Sequence, residues 1–204
     1  MPQITTGIRA VLSSPKVYDF FQDLMGAKSV RLELVRDHIQ PLSACRVLDI
    51  GCGTARILDF LPNVEYFGFD SSQRYIDDAV NRYGTRGHFK CALVEQAVID
   101  HMEPFDVVMA TGLLHHLDDE KVQGLMKLVH SALREGGQLI TIDPCFAADQ
   151  NAVSHFLVSR DRGQNVRDLA GYSSLAKSVF SNTAAIVRHR KWIPYTHCIM
   201  QCTK

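Results

Sequence analysis

Residues 49–55 form the strongest chemical signal in the sequence. They read Asp-Ile-Gly-Cys-Gly-Thr-Ala and follow an apolar run, residues 46–50, that predicts a buried strand. We expect this turn to open a helix, where backbone N–H groups are exposed and glycine lets a ligand approach the main chain closely. The carboxylate of Asp49, two residues before Gly51, would repel a pyrophosphate but attract an ammonium or sulfonium group. The turn therefore favours a cationic ligand.

Two further residues separate classes of nucleotide ligand. The dinucleotide fingerprint G-x-G-x-x-G needs a third glycine, and Arg56 stands in its place. Asp70 ends a second predicted strand roughly 20 residues after the first glycine, where a carboxylate can accept hydrogen bonds from ribose hydroxyls. Asp70 has an alternative use as the cap of the helix predicted from Ser72. Its distance from the glycine turn favours the ribose interpretation.

Alternating strands and helices are expected to position these residues. Hydrophobic patterning predicts strands at residues 46–50, 65–69, 89–93, 105–110 and 137–142, with helices at 55–61, 72–82 and 118–133 between them. Further helices are expected at about 15–26, 29–39, 152–159 and 173–180. Residues 184–190 and 195–203 are interpreted as neighbouring strands that close the sheet. This order predicts an α/β fold with a mostly parallel sheet covered on both faces.

The composition limits the classes of partner. The chain has 204 residues, 46% of them hydrophobic, which favours one domain with a sizeable core. Lys plus Arg and Asp plus Glu both number 22, so no long-range attraction to nucleic acid or an anionic membrane is expected. No secretory signal or membrane span is predicted, and six cysteines without a CxxC motif favour free thiols in the cytoplasm. No metal site is predicted, and the oligomeric state is open.

Four segments carry a resemblance to a known family. Residues 47–58 resemble the first motif of class I S-adenosylmethionine-dependent methyltransferases, hydrophobic-hydrophobic-D/E-x-G-x-G-x-G, with Ala55 in place of the last glycine. Residues 67–72 resemble the second-strand motif, residues 105–117 the fourth-strand motif of the small-molecule branch, and residues 133–139 the turn into the fifth strand. Together these segments cover about residues 42–145.

The resemblance implies a specific architecture. It implies a doubly wound, mostly parallel seven-stranded sheet whose last strand is antiparallel, with helices on both faces. We expect one methyltransferase domain over residues 1–204, made of an N-terminal helical lid (1–41), a cofactor-binding core (42–145) and an acceptor side (146–204).

The resemblance also implies a set of residues that bind S-adenosylmethionine and retain the product S-adenosylhomocysteine. The methionine part would lie on the glycine turn, the ribose on Asp70, and the adenine between side chains that follow the second and third strands. The lid would add Tyr18 and Arg31. The predicted cofactor set is Asp49, Gly51, Cys52, Gly53, Asp70, Ser71, Leu93, Val94, Ala110, Thr111, Tyr18 and Arg31.

Catalytic candidates follow the fourth and fifth strands, at the edge where open α/β sheets bind ligands. His115 or His116 can serve as a base for a hydroxyl acceptor, or one of them only packs or caps. Asp143 is a further candidate, with capping or a turn at Pro144 as its alternative. The acceptor is expected near Arg160, Arg162, Arg167, His155 and Tyr172, although Asp161 could pair with the arginines instead.

The sequence thus predicts a cytoplasmic methyltransferase that acts on an oxygen or nitrogen of a small molecule. Methylation of RNA or protein is the alternative activity, and the balanced charge argues against it. A cofactor-binding protein without catalysis is the alternative from another class.

Overall fold

The computed structural model describes residues 26–39, 45–190 and 194–204. Eight strands are found in this part of the chain: β1 Cys45–Ile50, β2 Val64–Asp70, β3 His88–Cys91, β4 Phe105–Thr111, β5 Leu133–Phe146, β6 Arg167–Asp168, β7 Asn182–His189 and β8 Thr196–Thr203. The α-helices are α1 Ala27–Leu34, α2 Gln73–Tyr83, α3 Gln96–Ile99, α4 Asp119–Ala132, α5 Ala152–Ser159 and α6 Leu169–Lys177. Short 3₁₀-helices lie at Arg56–Phe60, Gly84–Arg86 and Leu114–His116, and α1 continues as a π-helix over Val35–Ile39.

Seven strands form one path with the order β3-β2-β1-β4-β5-β8-β7, and β6 adds a two-residue pair to β5. Strands β1 to β5 run parallel to one another, whereas β8 is antiparallel to both β5 and β7. The expected mostly parallel sheet with an antiparallel last strand is therefore confirmed, and β6 is an addition. Because β1 lies between β2 and β4, the carboxyl ends of all three strands meet at one edge of the sheet.

Each face of the sheet buries its own apolar cluster. On one face, α4 presents Val122, Met126 and Val129, which are fully buried at helical spacing against the sheet. On the other face, α1 and α2 pack through residues such as Leu34 and Ala79. This two-sided cover explains why the central strands consist of nearly continuous apolar runs.

Two predicted helices differ in the structure. The helix expected at residues 55–61 is only the 3₁₀-helix Arg56–Phe60, because Ala55 has a left-handed backbone (φ 53°) and Leu61 precedes Pro62, which disfavours helical conformation. The helix expected at 173–180 begins earlier, at Leu169, since the Asp168 side chain accepts a 2.7 Å hydrogen bond from the Gly171 N–H as its cap. The helix expected at about 15–26 lies outside the described residues, apart from Gly26.

Within the described ranges, no helix is long and apolar enough to cross a membrane. In the same part of the chain, no group of three or more His, Cys, Asp or Glu is arranged to hold a metal ion.

Candidate functional site

The glycine turn after β1 has left-handed residues at three alternate positions. The φ angles are 76° at Gly51, 55° at Gly53 and 53° at Ala55. The backbone N–H groups of Gly51 and Cys52 both donate to the Phe69 carbonyl of β2, at 2.8 and 3.0 Å. A Cβ added at Gly53 would meet no atom within 4 Å, so the outer side of the turn is open space. The left-handed backbone explains why glycine is favoured at residues 51 and 53, and the open side leaves room for a ligand against the main chain.

Asp49 lies at the base of this turn with only 2% of its surface exposed. Its Oδ2 accepts a 2.6 Å hydrogen bond from the hydroxyl of Tyr66, itself fully buried. No hydrogen-bond partner among the described residues reaches its Oδ1, although that atom is buried. Burial raises the pKa of Asp49 to about 7, against the opposing effects of the Tyr66 bond and the Arg31 charge. An unsatisfied buried carboxylate oxygen beside an open glycine turn fits a cationic ligand group.

Asp70 ends β2 and braces the same turn. Its Oδ2 accepts a 3.0 Å bond from the Gly53 N–H, and its Oδ1 accepts a 2.8 Å bond from the Ser72 N–H at the start of α2. Burial raises the pKa of Asp70 against these backbone bonds. Ser72 is the N-cap of α2 and no side-chain cap bond is made there, so Asp70 holds the residue before the helix and does not cap the helix itself. The ribose role stays a prediction, which the remaining lone pairs of the two oxygens allow.

The other predicted cofactor residues lie on neighbouring strand ends. Leu93, which follows β3, is a large apolar residue that is 55% exposed, and Val94 is half-buried. The Cys91 thiol contacts the Ser71 carbonyl at 3.7 Å, which joins the ends of β2 and β3. At the end of β4, Ala110 is buried and Thr111 is half-buried. Tyr18 lies outside the described residues.

His115 forms the centre of a second polar cluster, after β4. Its Nδ1 lies 2.8 Å from Oδ1 of Asp143 in β5, and its Nε2 lies 3.2 Å from Oδ1 of Asp161. Burial alone would lower the pKa of His115, but the bonds and charges of the two carboxylates outweigh it and raise the pKa to about 9. His115 is therefore an imidazolium at neutral pH, with both N–H groups donated to carboxylates. In this state it has no lone pair with which to act as a base, which speaks against the catalytic role predicted for it.

His116 differs from its neighbour in charge. Its ring is 4.1 Å from the His115 ring, centroid to centroid, at an interplanar angle of 39°. Burial and the charge of His115 lower the pKa of His116 to about 4. A neutral imidazole thus lies against a charged one at the carboxyl edge of the sheet. Of the two histidines, His116 is the one with a lone pair at neutral pH.

Asp161 and Tyr195 are functional candidates that the sequence analysis missed. Asp161 was considered only as a partner of the arginines, but it accepts from Nε2 of His115, from the Gly163 N–H at 2.8 Å and from the Tyr195 hydroxyl at 2.5 Å. These bonds lower the pKa of the Asp161 carboxyl well below its usual range, although burial opposes them. The unusual polarity of residues 159–167 was the available signal, whereas nothing in the sequence indicated Tyr195.

Two residues predicted to contact the acceptor are held inside the protein. All five N–H donors of Arg167 are used. Nε donates to Asp119, Nη2 donates to Asp119 and to the Leu117 carbonyl, and Nη1 donates to the carbonyls of Leu114 and Asn165. Tyr172 is 1% exposed and donates to the Pro144 carbonyl at 3.0 Å. Both side chains fasten the loops around β5, which corrects the expectation that they bind an acceptor.

The remaining acceptor candidates are more accessible. Arg160 is exposed, with its guanidinium 5.4 Å from the ring centre of Phe156, and His155 is exposed beside Phe146. Arg162 is half-buried, and its charge contributes to the lowered pKa of His116. Among the predicted acceptor residues, Arg162 is therefore the one whose charge acts on His116.

Comparison with protein families gives a match over the region that holds the glycine turn and the histidine pair. Residues 48–139 match the family described as methyltransferase domain. This region extends from β1 into β5, and it includes Asp49, the glycine turn, Asp70 and the His115–His116 pair.

Curated relatives are similar over a larger part of the chain. A tRNA U34 carboxymethyltransferase of Chromohalobacter salexigens is 31% identical over 132 residues, which is 58% of this chain and 38% of that protein. A ubiquinone biosynthesis O-methyltransferase of Idiomarina loihiensis is 26% identical over 124 residues, which is 58% of this chain and 50% of that protein. The chain thus spans half or less of the length of these relatives.

Solved structures share the fold. The N-methyltransferase NodS of Bradyrhizobium japonicum superposes with a TM-score of 0.67 at 13% identity, covering 90% of this chain and 98% of that one. A phosphoethanolamine N-methyltransferase of Haemonchus contortus, solved with S-adenosyl-L-methionine, also gives 0.67, at 16% identity, covering 86% of this chain and 52% of that one.

Proposed function

We propose that the chain is a class I S-adenosylmethionine-dependent methyltransferase, as the match of residues 48–139 to a methyltransferase domain supports, and that it transfers a methyl group from S-adenosylmethionine to an oxygen or nitrogen of a small molecule. The observation that carries this proposal is the buried carboxylate of Asp49, whose Oδ1 has no partner among the described residues and lies at the base of the open glycine turn. A carboxylate there attracts the ammonium of an amino-acid cofactor, as the absence of a dinucleotide fingerprint also suggests.

The residues that we propose contact the cofactor are called the seat below, and each binds a different part of the cofactor. Asp49 would hold the cofactor's amino group, while the left-handed turn at Gly51 and Gly53 lets the methionine part lie against the main chain. Asp70 would accept from the ribose hydroxyls. The adenine would cover the exposed side chain of Leu93. Burial of this apolar surface by the bound cofactor would favour binding. Ser71, Val94, Ala110, Thr111 and Arg31 complete the proposed seat.

When bound, S-adenosylmethionine supplies a methyl group on a sulfonium, which an acceptor atom attacks directly. Since no covalent intermediate with the protein is needed, the main task of the chain is to align the acceptor, and alignment lowers the barrier by several kcal/mol. For a hydroxyl acceptor, we propose that His116 takes the proton, because its imidazole is neutral. The charged His115, fixed by Asp143 and Asp161, holds the adjacent ring in place.

A small acceptor is favoured by the equal numbers of acidic and basic residues, which provide no general attraction to a phosphate backbone. We place the acceptor beside the loop that carries Arg160 and Arg162, where a guanidinium can bind a carboxylate or phosphate group. The ubiquinone biosynthesis O-methyltransferases among the relatives are consistent with such an acceptor.

A second candidate is transfer to RNA, and it rests on the 31% identity to tRNA U34 carboxymethyltransferases. The two candidates are separated by incubating the protein with cofactor labelled on the methyl group and with three pools: small metabolites, transfer RNA and protein. We expect label in the metabolite pool. Label only in RNA or protein would move the acceptor to that class, and tight cofactor binding without labelling of any pool would contradict the enzymatic proposal.

A further inference from the structure

Tyr66 is a buried polar residue that the cofactor-binding motif does not account for. It lies in the middle of β2, fully buried, and its hydroxyl is 2.6 Å from Oδ2 of Asp49 on the neighbouring strand. A tyrosine hydroxyl in a protein core requires a partner, and here the partner is the acid of the glycine turn.

The local geometry of β2 keeps the path of this side chain open. Asp49 is paired in register with Gly68, two residues beyond Tyr66, so the Tyr66 ring has to lean along β2 to reach the carboxylate. A Cβ at residue 68 would lie 2.9 Å from Cε1 of Tyr66 and 3.0 Å from the Sγ of Cys52. Gly68 is therefore the residue that allows the Tyr66 ring to pass. The ring of Phe89 in β3 packs beside it, with 5.8 Å between ring centroids.

The hydrogen bond divides the two oxygens of Asp49 between two uses. Oδ2 is satisfied by Tyr66, which fixes the plane of the carboxylate, and Oδ1 is left without a partner among the described residues. A hydrogen bond donated to the ionised form also opposes protonation of a buried acid. The other charged or titratable groups that act on Asp49 are Asp70, which favours protonation, and Arg31, which opposes it, while the Cys52 thiol lies within reach of its charge.

We propose that Tyr66 is a positioning residue for cofactor binding, which holds the Asp49 carboxylate ionised and turned so that its second oxygen meets the cofactor's amino group. This inference rests on the proposed function, because it assigns Asp49 to that amino group. It adds a residue outside the glycine turn to the binding machinery and makes cofactor affinity depend on pH through one hydrogen bond.

The test compares Tyr66→Phe with Tyr83→Phe. Tyr83 is a matched control, since its hydroxyl also donates to an aspartate, Asp59, at 3.0 Å, and its ring also packs near Phe89. The dissociation constant of S-adenosylhomocysteine, which carries the same amino group, is measured by calorimetry from pH 5.5 to 8.5. For the wild type, we expect the affinity to rise with pH and level off above about 7, the pKa of Asp49.

For Tyr66→Phe, loss of the donor should move this midpoint up by about one pH unit, which weakens binding by about fivefold at pH 7 and by nearly tenfold at pH 5.5 to 6. The affinity should recover towards the wild-type value at high pH, which a merely structural defect would not do. Tyr83→Phe should keep the wild-type profile. An unchanged midpoint in Tyr66→Phe, or an equal shift in both variants, would overturn the inference.

Two further variants separate this inference from the proposed function. Asp49→Asn should bind weakly at every pH, without the midpoint. A wild-type protein that does not bind S-adenosylhomocysteine would overturn the cofactor assignment together with this inference, whereas wild-type binding with an unaltered Tyr66→Phe profile overturns the inference alone. If Tyr66→Phe does not fold, Gly68→Ala applies the same test, because its methyl group presses on the Tyr66 ring; an unchanged midpoint there is the contradicting result.

Discussion

Oδ1 of Asp161 lies 3.2 Å from Nε2 of His115, on the side of the ring opposite to Asp143. The loop that carries Asp161 is thereby fastened to the turn after β4, and Asn165 strengthens the link by donating its N–H to the His115 carbonyl at 2.9 Å. A buried ring between two carboxylates has consequences for both stability and chemistry.

Stability should depend on the protonation of His115. Its folded pKa of about 9 is above the unfolded value of 6.5, so its contribution is fully present below pH 6.5 and is lost as pH rises through 9. The shift corresponds to about 3 kcal/mol in the free energy of unfolding. Urea unfolding between pH 6.5 and 9.5 should show this loss in the wild type and in His116→Gln, but a flatter profile in His115→Gln. Identical slopes in the two variants would contradict the assignment.

Gly163 should be intolerant of any side chain. A Cβ at this position would lie 2.0 Å from Cδ2 and 2.6 Å from the carbonyl oxygen of His115. Gly163→Ala should therefore lift the loop, reduce the free energy of unfolding by about 1–3 kcal/mol and lower the pKa of His115 as Asp161 withdraws. Histidine NMR titration and chemical denaturation measure the two effects.

The control for Gly163 is Gly124→Ala in α4, where a Cβ meets no atom within 4 Å. This change should raise stability by roughly 0.5–1 kcal/mol, because alanine is the better helix former. A Gly163→Ala protein with wild-type stability and an unchanged His115 pKa would show that the loop does not pack on His115 in solution.

Gly53 should matter for cofactor binding beyond its backbone. Its φ of 55° makes Gly53→Ala cost about 1 kcal/mol of stability, and Gly136→Ala, at a φ of 74° far along the chain in β5, should cost a similar amount. Only at Gly53 would the new methyl enter the proposed seat. Calorimetry with S-adenosylhomocysteine should show at least tenfold weaker binding for Gly53→Ala and wild-type binding for Gly136→Ala. Equal affinities of the two variants would show that the glycine turn does not contact the cofactor.

Arg167 should be a structural residue. Lysine cannot reproduce the five-donor arrangement of its guanidinium, so Arg167→Lys should lower the free energy of unfolding by about 2–3 kcal/mol. Arg160→Lys, at an exposed position, should change it by less than about 0.5 kcal/mol. Denaturant unfolding of both variants decides this. If Arg167→Lys were as stable as the wild type, an acceptor role for Arg167 would be open again.

His116 should affect turnover without affecting cofactor affinity. If it accepts the proton of a hydroxyl acceptor, His116→Gln should lower kcat by roughly 100-fold or more. The dissociation constant of S-adenosylhomocysteine should stay within about twofold of the wild-type value. Once an acceptor is identified by methyl labelling, steady-state kinetics give the result. A decrease of less than about threefold would exclude His116 as the base.

Local sequence was sufficient to predict that the residues of the glycine turn and Asp70 lie together. Asp49, Gly51, Gly53 and Asp70 are connected by one strand–turn–strand unit, so their types and spacing predicted their meeting. The last two strands were also predictable, because Pro194 separates two strand-like segments of the sequence. The shortened helix at Arg56–Phe60 was less so, since the left-handed Ala55 depends on how the turn packs under β2.

The second cluster could not be read from spacing. Asp161 and Tyr195 are 34 residues apart and meet only because β8, which begins after Tyr195, returns to lie between β5 and β7. In the same way, the Tyr66–Asp49 bond depends on the register of two strands, which a single sequence does not specify. Arg167 looked like a ligand-binding cation for the same reason, because its carbonyl partners are main-chain atoms without a sequence signature.

The position of β8 between β5 and β7 has a consequence for folding during synthesis. During synthesis, β1 to β5 can assemble as soon as they leave the ribosome, but the flank of β5 and the whole of β7 lack their partner until residues 196–203 emerge. For that interval the nascent chain exposes two open strand edges, which are templates for pairing with other chains. Premature truncation within β8 should therefore yield aggregates rather than a slightly shortened folded protein.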